Sequence, residues 1–456
     1  MPVHDTCLAD ALTDALTDAQ PYVTPSPAEP APAPTGEPST WGARHAHDPT
    51  VVRADDGIYY MFSTDAVANS EDIPTGVHIR TSRDLVTWHF AGTAFDGVPC
   101  PARDWSGATG LWAPEVVRWA TGAWHMYYSA STFGSNTSAI GLATAPHPSG
   151  PWKDHGLVVA TRAGVDTQNA IDAAVTFDAD GAPWLTYGSF FSGIYTLPLD
   201  PASGRPLLQG DPGSLIARRH PFVEGAVEGA FIMYRPQEGR YVLFASYDSL
   251  FSSYNVRVAA AEHITGPYRD IRGLSMTDLE APPASIGTKI LGSHRFDGAA
   301  GWLAPGHSSV LSQDGRDGGD EHFLVHHARF AADPSQHIVQ LRRLFFNTAG
   351  WPVVSPQPYA GPEREVLGSP QPLSGRWQVV RFAPDSTDLV ESVPLDLESD
   401  SDEPFDGGPA AVRLLADDLD LDAVVFVSWD WSRGAAALSF SGFDRHGVAW
   451  CGTKGA

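Results

Sequence analysis

The segment Gly122-Ala-Trp-His-Met-Tyr-Tyr-Ser-Ala130 carries the pattern that decides the fold, a glycine followed by a short strand rich in aromatic residues. Segments of this type begin at residues 57, 122, 181, 239 and 321, and a second strand follows each of them. Short strands of this composition, punctuated by glycine and proline, predict an all-β protein. Repeats of roughly 60 residues are typical of propeller blades. The sequence therefore predicts a five-bladed β-propeller over residues 42–361, with a β-sandwich of similar hairpins as the alternative.

The regions on either side of the repeats have a different character. Residues 1–41 include a Pro/Ala-rich stretch and predict a mobile N-terminal segment with an extended tether. After about residue 362 the repeat stops, and strand-like segments such as Gly375-Arg-Trp-Gln-Val-Val-Arg-Phe382 follow. Residues 362–456 are therefore predicted to form a small antiparallel β-domain, a barrel or a sandwich.

Composition restricts the possible partners and the cellular setting. The net charge of −25 disfavours nucleic acid and anionic membranes as partners, and no apolar run is long enough to span a membrane. Cys7, Cys100 and Cys451 are too scattered for a disulfide framework or a zinc site. No secretory signal is visible in the first forty residues, which leaves a cytoplasmic and an extracellular location both open.

Three acidic residues stand at similar places in the repeat. Asp48, Asp172 and Glu228 each lie about ten residues upstream of a glycine-aromatic strand, and Trp112 and His307 occupy the corresponding place in the other two repeats. In a radial arrangement these five side chains would surround one axis. Carboxyl groups held together in this way are the equipment of glycoside hydrolysis. The alternative is that the acids bind a structural cation or cap backbone amides.

A series of motifs resembles glycoside hydrolase family 43, and within it the endo-1,5-α-L-arabinanases. The resemblance covers roughly residues 45–360. Its segments are His47-Asp-Pro49, Trp112-Ala-Pro114, Ser131-Thr-Phe-Gly-Ser-Asn-Thr-Ser-Ala-Ile-Gly141, Asn169-Ala-Ile-Asp172, Gly188-Ser-Phe-Phe-Ser-Gly-Ile194, Val227-Glu-Gly-Ala-Phe-Ile232, Tyr254-Asn-Val-Arg-Val258 and Pro305-Gly-His-Ser-Ser309. The later part of the chain is similar to the C-terminal β-barrel of the larger arabinanases.

This resemblance implies an inverting reaction on arabinan or arabino-oligosaccharides. Asp48 would be the general base, Glu228 the general acid, and Asp172 the residue that tunes and orients the acid, with Glu224 as a competitor for the acid role. The residues implied in substrate binding are Trp112, Gly134, Asn169, Ala170, Ile171, Ser189, Phe190 and Phe191. Two positions depart from the family pattern, since Phe191 replaces a tryptophan and Ala173 replaces a proline.

The resemblance also implies a calcium ion on the axis, held by His307 largely through water, and the alternative is a hydrogen-bonded histidine without an ion. No organic cofactor is expected, and the protein is expected to be a monomer. Two rival functions remain open: an exo-acting α-L-arabinofuranosidase or β-xylosidase of the same family, and a non-catalytic sugar-binding propeller.

Overall fold

The computed structural model describes residues 36–66, 73–315, 319–401 and 403–454. Most of the predicted mobile N-terminal segment, residues 1–35, lies outside the described residues. The described chain is almost entirely β-structure, as the sequence predicts. Its single α-helix is α1 (Cys100–Ser106), and three short 3-10 turns occupy Pro38–Thr40, Pro221–Val223 and Pro283–Ser285. No helix in the described ranges is long and apolar enough to cross a membrane.

Residues 47–354 form five antiparallel sheets in chain order, here called sheets 1 to 5. Sheet 1 contains β1 (His47–Arg53), β2 (Tyr59–Thr64), β3 (His78–Ser82) and β4 (His89–Thr93). Sheet 2 contains β5 (Trp112–Arg118), β6 (Trp124–Ala130), β7 (Ser138–Ala145) and β8 (Lys153–Thr161). Sheet 3 contains β9 (Ala174–Phe177), β10 (Pro183–Tyr187), β11 (Ile194–Pro198) and β12 (Ser214–Ala217). Sheet 4 contains β13 (Val227–Arg235), β14 (Arg240–Tyr247), β15 (Asn255–Ala261) and β16 (Thr288–Leu291). Sheet 5 contains β17 (His294–Arg295), β18 (Trp302–Asp314), β19 (Asp320–Phe330), β20 (Asp333–Phe346) and β21 (Pro352–Val354).

The glycine-aromatic segments become β2, β6, β10, β14 and β19, the strands that pair with β1, β5, β9, β13 and β18. Strand β6 is buried along its whole length, and β14 along nearly all of it. Both faces of these strands carry apolar side chains because neighbouring sheets cover both faces. Burying one such aromatic side chain contributes about 1.5–3 kcal/mol. The aromatic residues therefore recur in the sequence because the same strand of every sheet is buried between neighbouring sheets.

The strands β1, β5, β9, β13 and β18 contact one another in cyclic order, with β18 returning to β1. One residue near the start of each of these strands has a positive φ. Its backbone N–H donates a hydrogen bond to a side chain that belongs to the preceding sheet or lies next to it. The five bonds are Ala113 to Thr64 Oγ1, Asp172 to Ser129 Oγ, Gly229 to Asp172 Oδ2, Ala304 to Ser293 Oγ and Asp48 to His327 Nδ1. These bonds, 2.9 to 3.3 Å long, form a closed ring.

The positions of these bonds correct the prediction that the five site residues occupy the same place in each repeat. Asp48 and Asp172 do share the positive-φ position, at φ of 52° and 60°. Glu228 and Trp112, however, come one residue before it, and His307 comes three residues after Ala304. A bulge at the positive-φ position is common to the strands β1, β5, β13 and β18, but β18 has a second irregularity between Gly306 and Ser309. That extra bulge contains His307 and re-aims its side chain.

The segment just before β1 closes the ring of sheets. Its backbone pairs with β20 of sheet 5: Val339 N–H donates to Ala43 and His45 N–H donates to His337. The fully buried guanidinium of Arg80, on β3, binds the carbonyl groups of residues 42, 44 and 45. The segment is therefore held by sheets 1 and 5 together, the first and last along the chain.

The remaining strands form a closed six-stranded barrel. It contains β22 (Gly375–Phe382), β24 (Val393–Ser399), β25 (Ala410–Ala416), β26 (Leu419–Asp430), β27 (Ala435–Asp444) and β28 (Ala449–Lys454), while β23 (Val390–Glu391) pairs with β17 of sheet 5. Phe382, Phe426 and Phe443 of the barrel lie in one hydrophobic cluster with Phe244 and Leu344 of sheets 4 and 5. The barrel therefore packs on sheets 4 and 5 through a shared apolar core.

Candidate active site

Asp48 lies at the start of β1 among three histidines and a threonine. Thr64 Oγ1 donates to Asp48 Oδ2 at 2.6 Å, and His47 Nδ1 is 2.8 Å from Asp48 Oδ1. His307 Nδ1 and His327 Nδ1 are 3.5 and 3.7 Å from the same oxygen. Burial alone would raise the pKa of Asp48, but the hydrogen bond and charge of His47, with the other two histidines, hold that pKa well below its usual value.

Glu228 lies at the start of β13, and two hydroxyl groups fix its carboxyl group. Ser189 Oγ donates to Oε2 at 2.7 Å, and the phenol of Tyr254 donates to Oε1 at 2.9 Å. Burial and the charge of Asp172 raise the pKa of Glu228 to about 7, although both hydroxyl bonds act in the opposite direction. Glu228 is therefore suited to hold a proton near neutral pH, whereas Asp48 is suited to accept one.

Asp172 connects these two residues. Its Oδ2 accepts the N–H of Gly229, the residue after Glu228, at 3.1 Å, and it lies 3.9 Å from His307 Nδ1. Burial and the charge of Asp48 raise the pKa of Asp172 to about 8. The predicted residues Asp48, Asp172, Glu228 and His307 thus come together at one end of the sheets. Glu224, the competing acid, is exposed at the end of a 3-10 turn and lies outside these contacts.

The structure separates the predicted substrate-binding residues into two groups. Trp112, Gly134, Phe190 and Phe191 are partly or well exposed, with Phe191 at 49%. Asn169, Ala170, Ile171 and Ser189 are buried. The Asn169 side chain accepts from Ser138 and donates to the Ser189 carbonyl, so it ties sheets 2 and 3 together. The buried group therefore shapes the site and holds the acid.

Three further phenylalanines surround the same end of the sheets. Phe133, Phe222 and Phe251 are 78%, 91% and 57% exposed, on loops belonging to or preceding sheets 2 and 4. The rings of Phe133 and Phe251 approach to 6.3 Å although sheets 2 and 4 are not neighbours in the ring. An apolar rim therefore extends well beyond the carboxyl groups. The sequence analysis gave none of these three a role, and named instead Phe190 and Phe191, which follow β10 on sheet 3.

Several residues that hold the carboxyl groups were given no role in the sequence analysis. Tyr254 is buried, and burial together with the charge of Glu228 raises its pKa well above 10, so it remains a donor. The His327 ring stacks on His47 at 3.7 Å, and its Nδ1 accepts the N–H of Asp48. Tyr254 and His47 belong to motifs that were recognised, and that signal could have identified them. Thr64 carries no comparable signal.

The possibility of a metal ion rests on the histidines around Asp48. Within the described ranges, one cluster places three ligand atoms within 4.8 Å of one another, and it consists of His47, Asp48 and His327. Two imidazoles and one carboxylate suit zinc better than calcium. Since His327 Nδ1 already accepts a backbone N–H, the cluster is better described as a hydrogen-bond network. His307 is not part of it, so calcium at His307 would take most of its ligands from water.

The arrangement can carry out acid and base chemistry at one place. One carboxyl group holds its proton, a second is ionised, and a third lies between them, with aromatic faces around the opening. Such a site on a ring of β-sheets defines a glycoside hydrolase. The chain belongs to glycosyl hydrolases family 43, whose family model matches residues 42–352.

Relatives within this family extend the likeness along the chain. The sequence is 32% identical over 400 residues to an extracellular endo-α-(1→5)-L-arabinanase of Thermotoga petrophila, covering 79% of this chain and 80% of that protein. The crystal structure of an endo-1,5-α-L-arabinanase from Thermotoga petrophila superposes with a TM-score of 0.76 at 26% identity, covering 91% and 99% of the two chains. A Cellvibrio cellulosa α-L-arabinanase complexed with arabinohexaose gives a TM-score of 0.57 at 31% identity, covering 68% and 95%.

Proposed function

We propose that this enzyme cleaves internal α-1,5-L-arabinofuranosyl linkages of arabinan with inversion of configuration. The observation that carries the proposal is the opposite displacement of two pKa values in one site. The pKa of Glu228 is raised to about 7, and the pKa of Asp48 is held well below its usual value. An inverting glycosidase needs one carboxyl group of each kind, on opposite sides of the bond that breaks.

In this mechanism Asp48 is the general base. Its ionised carboxylate, oriented by Thr64 and His47, removes a proton from a water molecule as the water oxygen bonds to the anomeric carbon. Glu228 gives its proton to the departing O5 oxygen of the next sugar as the glycosidic bond breaks. The two proton transfers balance, and a later proton exchange with solvent restores both carboxyl groups.

Asp172 keeps the acid protonated and in place. Asp172 and Glu228 oppose each other's ionisation, which raises the pKa of Glu228, and the bond from the Gly229 N–H to Asp172 fixes the backbone beside the acid. A side chain at Gly229 would lie 3.0 Å from the His307 ring, so the close approach of these two strands needs glycine.

The rim of phenylalanines favours internal cleavage over exo action. Phe133, Phe191, Phe222 and Phe251 come from several loops, so stacking faces are offered to more than one sugar unit. The similar protein and the similar crystal structure from Thermotoga petrophila are both endo-arabinanases. Arabinohexaose in the Cellvibrio cellulosa structure is an oligomer of the proposed substrate.

The test is the product profile on linear debranched arabinan. We expect mixed arabino-oligosaccharides from the first minutes, with a rapid fall in viscosity. Arabinose alone, with slow loss of viscosity, would replace the proposal with an exo-acting arabinofuranosidase. If the wild-type protein and Glu228→Gln both release nothing while the polymer still binds, the protein is a non-catalytic binding propeller.

The same proposal extends to the architecture. The closed ring of bonds between sheets supports reading sheets 1 to 5 as five propeller blades over residues 42–361. The barrel supports reading residues 362–456 as a C-terminal β-domain. Limited proteolysis tests this division: cleavage should concentrate near residues 362–374, between β21 and the first barrel strand.

We also propose that His307 holds a calcium ion largely through water. His307 Nδ1 lies 3.5 Å from Asp48 Oδ1 and 3.9 Å from Asp172 Oδ2, and carboxyl groups gathered in this way would attract a cation. A bound ion would supply positive charge beside the carboxyl groups. Calorimetric titration of chelator-treated protein with Ca²⁺ tests it, and absence of binding together with unchanged unfolding would reject it.

A further inference from the structure

A groove of about 360 Å³ lies between sheets 3 and 4, far from the carboxyl groups. Its walls come from the β9–β10 turn, the ends of β13 and β14 at their shared turn, and the segment after β15. Glu228 is near the start of β13 and Tyr234 is near its end, about 20 Å away at 3.3 Å per residue. The groove is therefore at the opposite end of the sheets from the carboxyl groups, where nothing in the proposed mechanism uses it.

Three aromatic side chains form the groove and are held in place. The Trp184 indole N–H donates to Asp178 Oδ2 at 2.8 Å, which fixes the half-buried ring. The Tyr241 hydroxyl accepts the N–H of Ala179 at 3.0 Å. The rings of Tyr234 and Tyr241 lie 4.9 Å apart. Because all of these contacts are within strands and tight turns, the aromatic surface is preformed.

The rim of the groove carries only acidic and neutral groups. Asp180 and Glu262 are exposed there, and His263 lies beside them, while no lysine or arginine lines the groove. With a net charge of −25 on the whole chain, an anionic ligand is excluded. Aromatic faces with carboxylate acceptors suit a neutral polyhydroxylated ligand, whose C–H faces stack and whose hydroxyl groups donate.

We propose that this groove is a second, non-catalytic binding site for the arabinan chain. The inference rests on the proposed function for the identity of the sugar. A volume of this size accommodates a few furanose units. Because the groove and the active site lie on opposite faces of one rigid body, the site raises affinity for the polymer by holding a second part of the chain. A short oligosaccharide cannot reach both sites.

The test compares a polymer with a short substrate. Trp184→Ala and Glu262→Ala should each raise the KM for linear arabinan about threefold to tenfold, a loss of the size expected for one stacking or hydrogen-bonding contact. Their kcat and KM on arabinotriose should equal those of the wild type. Retention in native gels containing arabinan, measured in a Glu228→Gln background so that the gel is not degraded, should fall by a similar factor.

Trp450→Ala is the matched control. Trp450 of the barrel is also half-buried, and its indole N–H also donates to an aspartate six residues earlier, Asp444, at 3.1 Å. This variant should leave the kinetics on both substrates unchanged. Glu262 is exposed, so the Glu262→Ala variant decides the question even if Trp184→Ala does not fold.

Unchanged polymer kinetics and retention in Glu262→Ala and in any folded Trp184→Ala would overturn the second site. Equal losses on arabinotriose would overturn it too, since they indicate damage to the active site. If 0.5 M NaCl abolishes retention of the parent protein, then charge and not stacking on a neutral sugar holds the polymer. That result would also reject the second site. Failure of the proposed function is separate: the wild-type protein would then hydrolyse neither substrate.

Discussion

Replacing Tyr254 by phenylalanine should move the alkaline limb of the pH–rate profile to higher pH. The Tyr254 hydroxyl donates to Glu228 Oε1 at 2.9 Å and stabilises the ionised acid more than the protonated acid. A hydrogen bond to a charged group contributes about 1.5–3 kcal/mol and one to a neutral group about 0.5–1.5 kcal/mol. The difference, about 1–1.5 kcal/mol, corresponds to roughly one pKa unit. The limb set by Glu228, near 7 in the wild type, should therefore shift upward by about one unit.

The assay is kcat/KM on debranched arabinan between pH 4 and pH 9. No acid limb set by Asp48 should appear in this range in either protein, because the pKa of Asp48 is held well below its usual value. Tyr187→Phe is the matched control, since the hydroxyl of that buried tyrosine donates to the Pro212 carbonyl outside the site. An alkaline limb that stays in place or moves to lower pH in Tyr254→Phe would refute the assignment of Glu228 as the titrating acid.

The remaining predictions concern the acid, a buried carboxyl group and a close approach. Glu228→Gln should lower kcat by about 10²–10⁴, the usual contribution of general acid catalysis, whereas Glu224→Gln should stay within about twofold; equal losses would contradict the assignment. Burial raises the pKa of Glu115 to about 8, so the folded state keeps a proton that the unfolded chain releases above about 4.5. Stability from this group is complete below that pH and lost as pH rises to about 8. Melting curves of Glu115→Gln should therefore lose less stability over that range, by about 1.4 kcal/mol per pH unit, and parallel curves would reject the claim. A Cβ at Gly306 would overlap the Tyr254 ring, so Gly306→Ala should cost about 1–3 kcal/mol in urea unfolding, and a neutral result would show that the ring can move.

The architecture was accessible from sequence because its determinants are local and repeated. The five glycine-aromatic segments all became strands, and the segment predicted at Gly375–Phe382 became β22 with the same bounds. Each pattern reflects a strand that is buried by the same neighbours in every repeat. The strand β24 was not predicted, because its alternating exposed residues include several acids and carry little apolar signal.

The position of the site could be predicted, but its fine geometry could not. The distance along the sequence to the next aromatic strand predicts equivalent places in the repeat for Asp48, Asp172 and Glu228. Bulges break that count, and they depend on backbone angles that the pattern of residue types does not express. His307 illustrates this best, since a second bulge in β18 places it beside Asp48. The corresponding strands β1, β5, β9 and β13 have no such second bulge.

The groups that tune the carboxyl groups come from distant parts of the chain. His327 is 279 residues from Asp48, yet it accepts the backbone N–H of that residue. Tyr254 reaches Glu228 from the β14–β15 loop of the same sheet, 26 residues along the chain. The pairing of His327 with Asp48 follows from the closure of sheet 5 against sheet 1, so a single sequence contains no local signal for it.

The central claim is a single displacement in which Asp48 activates water and Glu228 protonates the leaving oxygen. It is tested most directly by proton NMR of the anomeric signals during the first minutes of arabino-oligosaccharide hydrolysis, at high enzyme concentration. An inverting reaction should give the β-anomer of the new reducing end first, and this anomer then equilibrates. Initial formation of the α-anomer would show retention through a covalent intermediate and would contradict the assignment of Asp48 as general base.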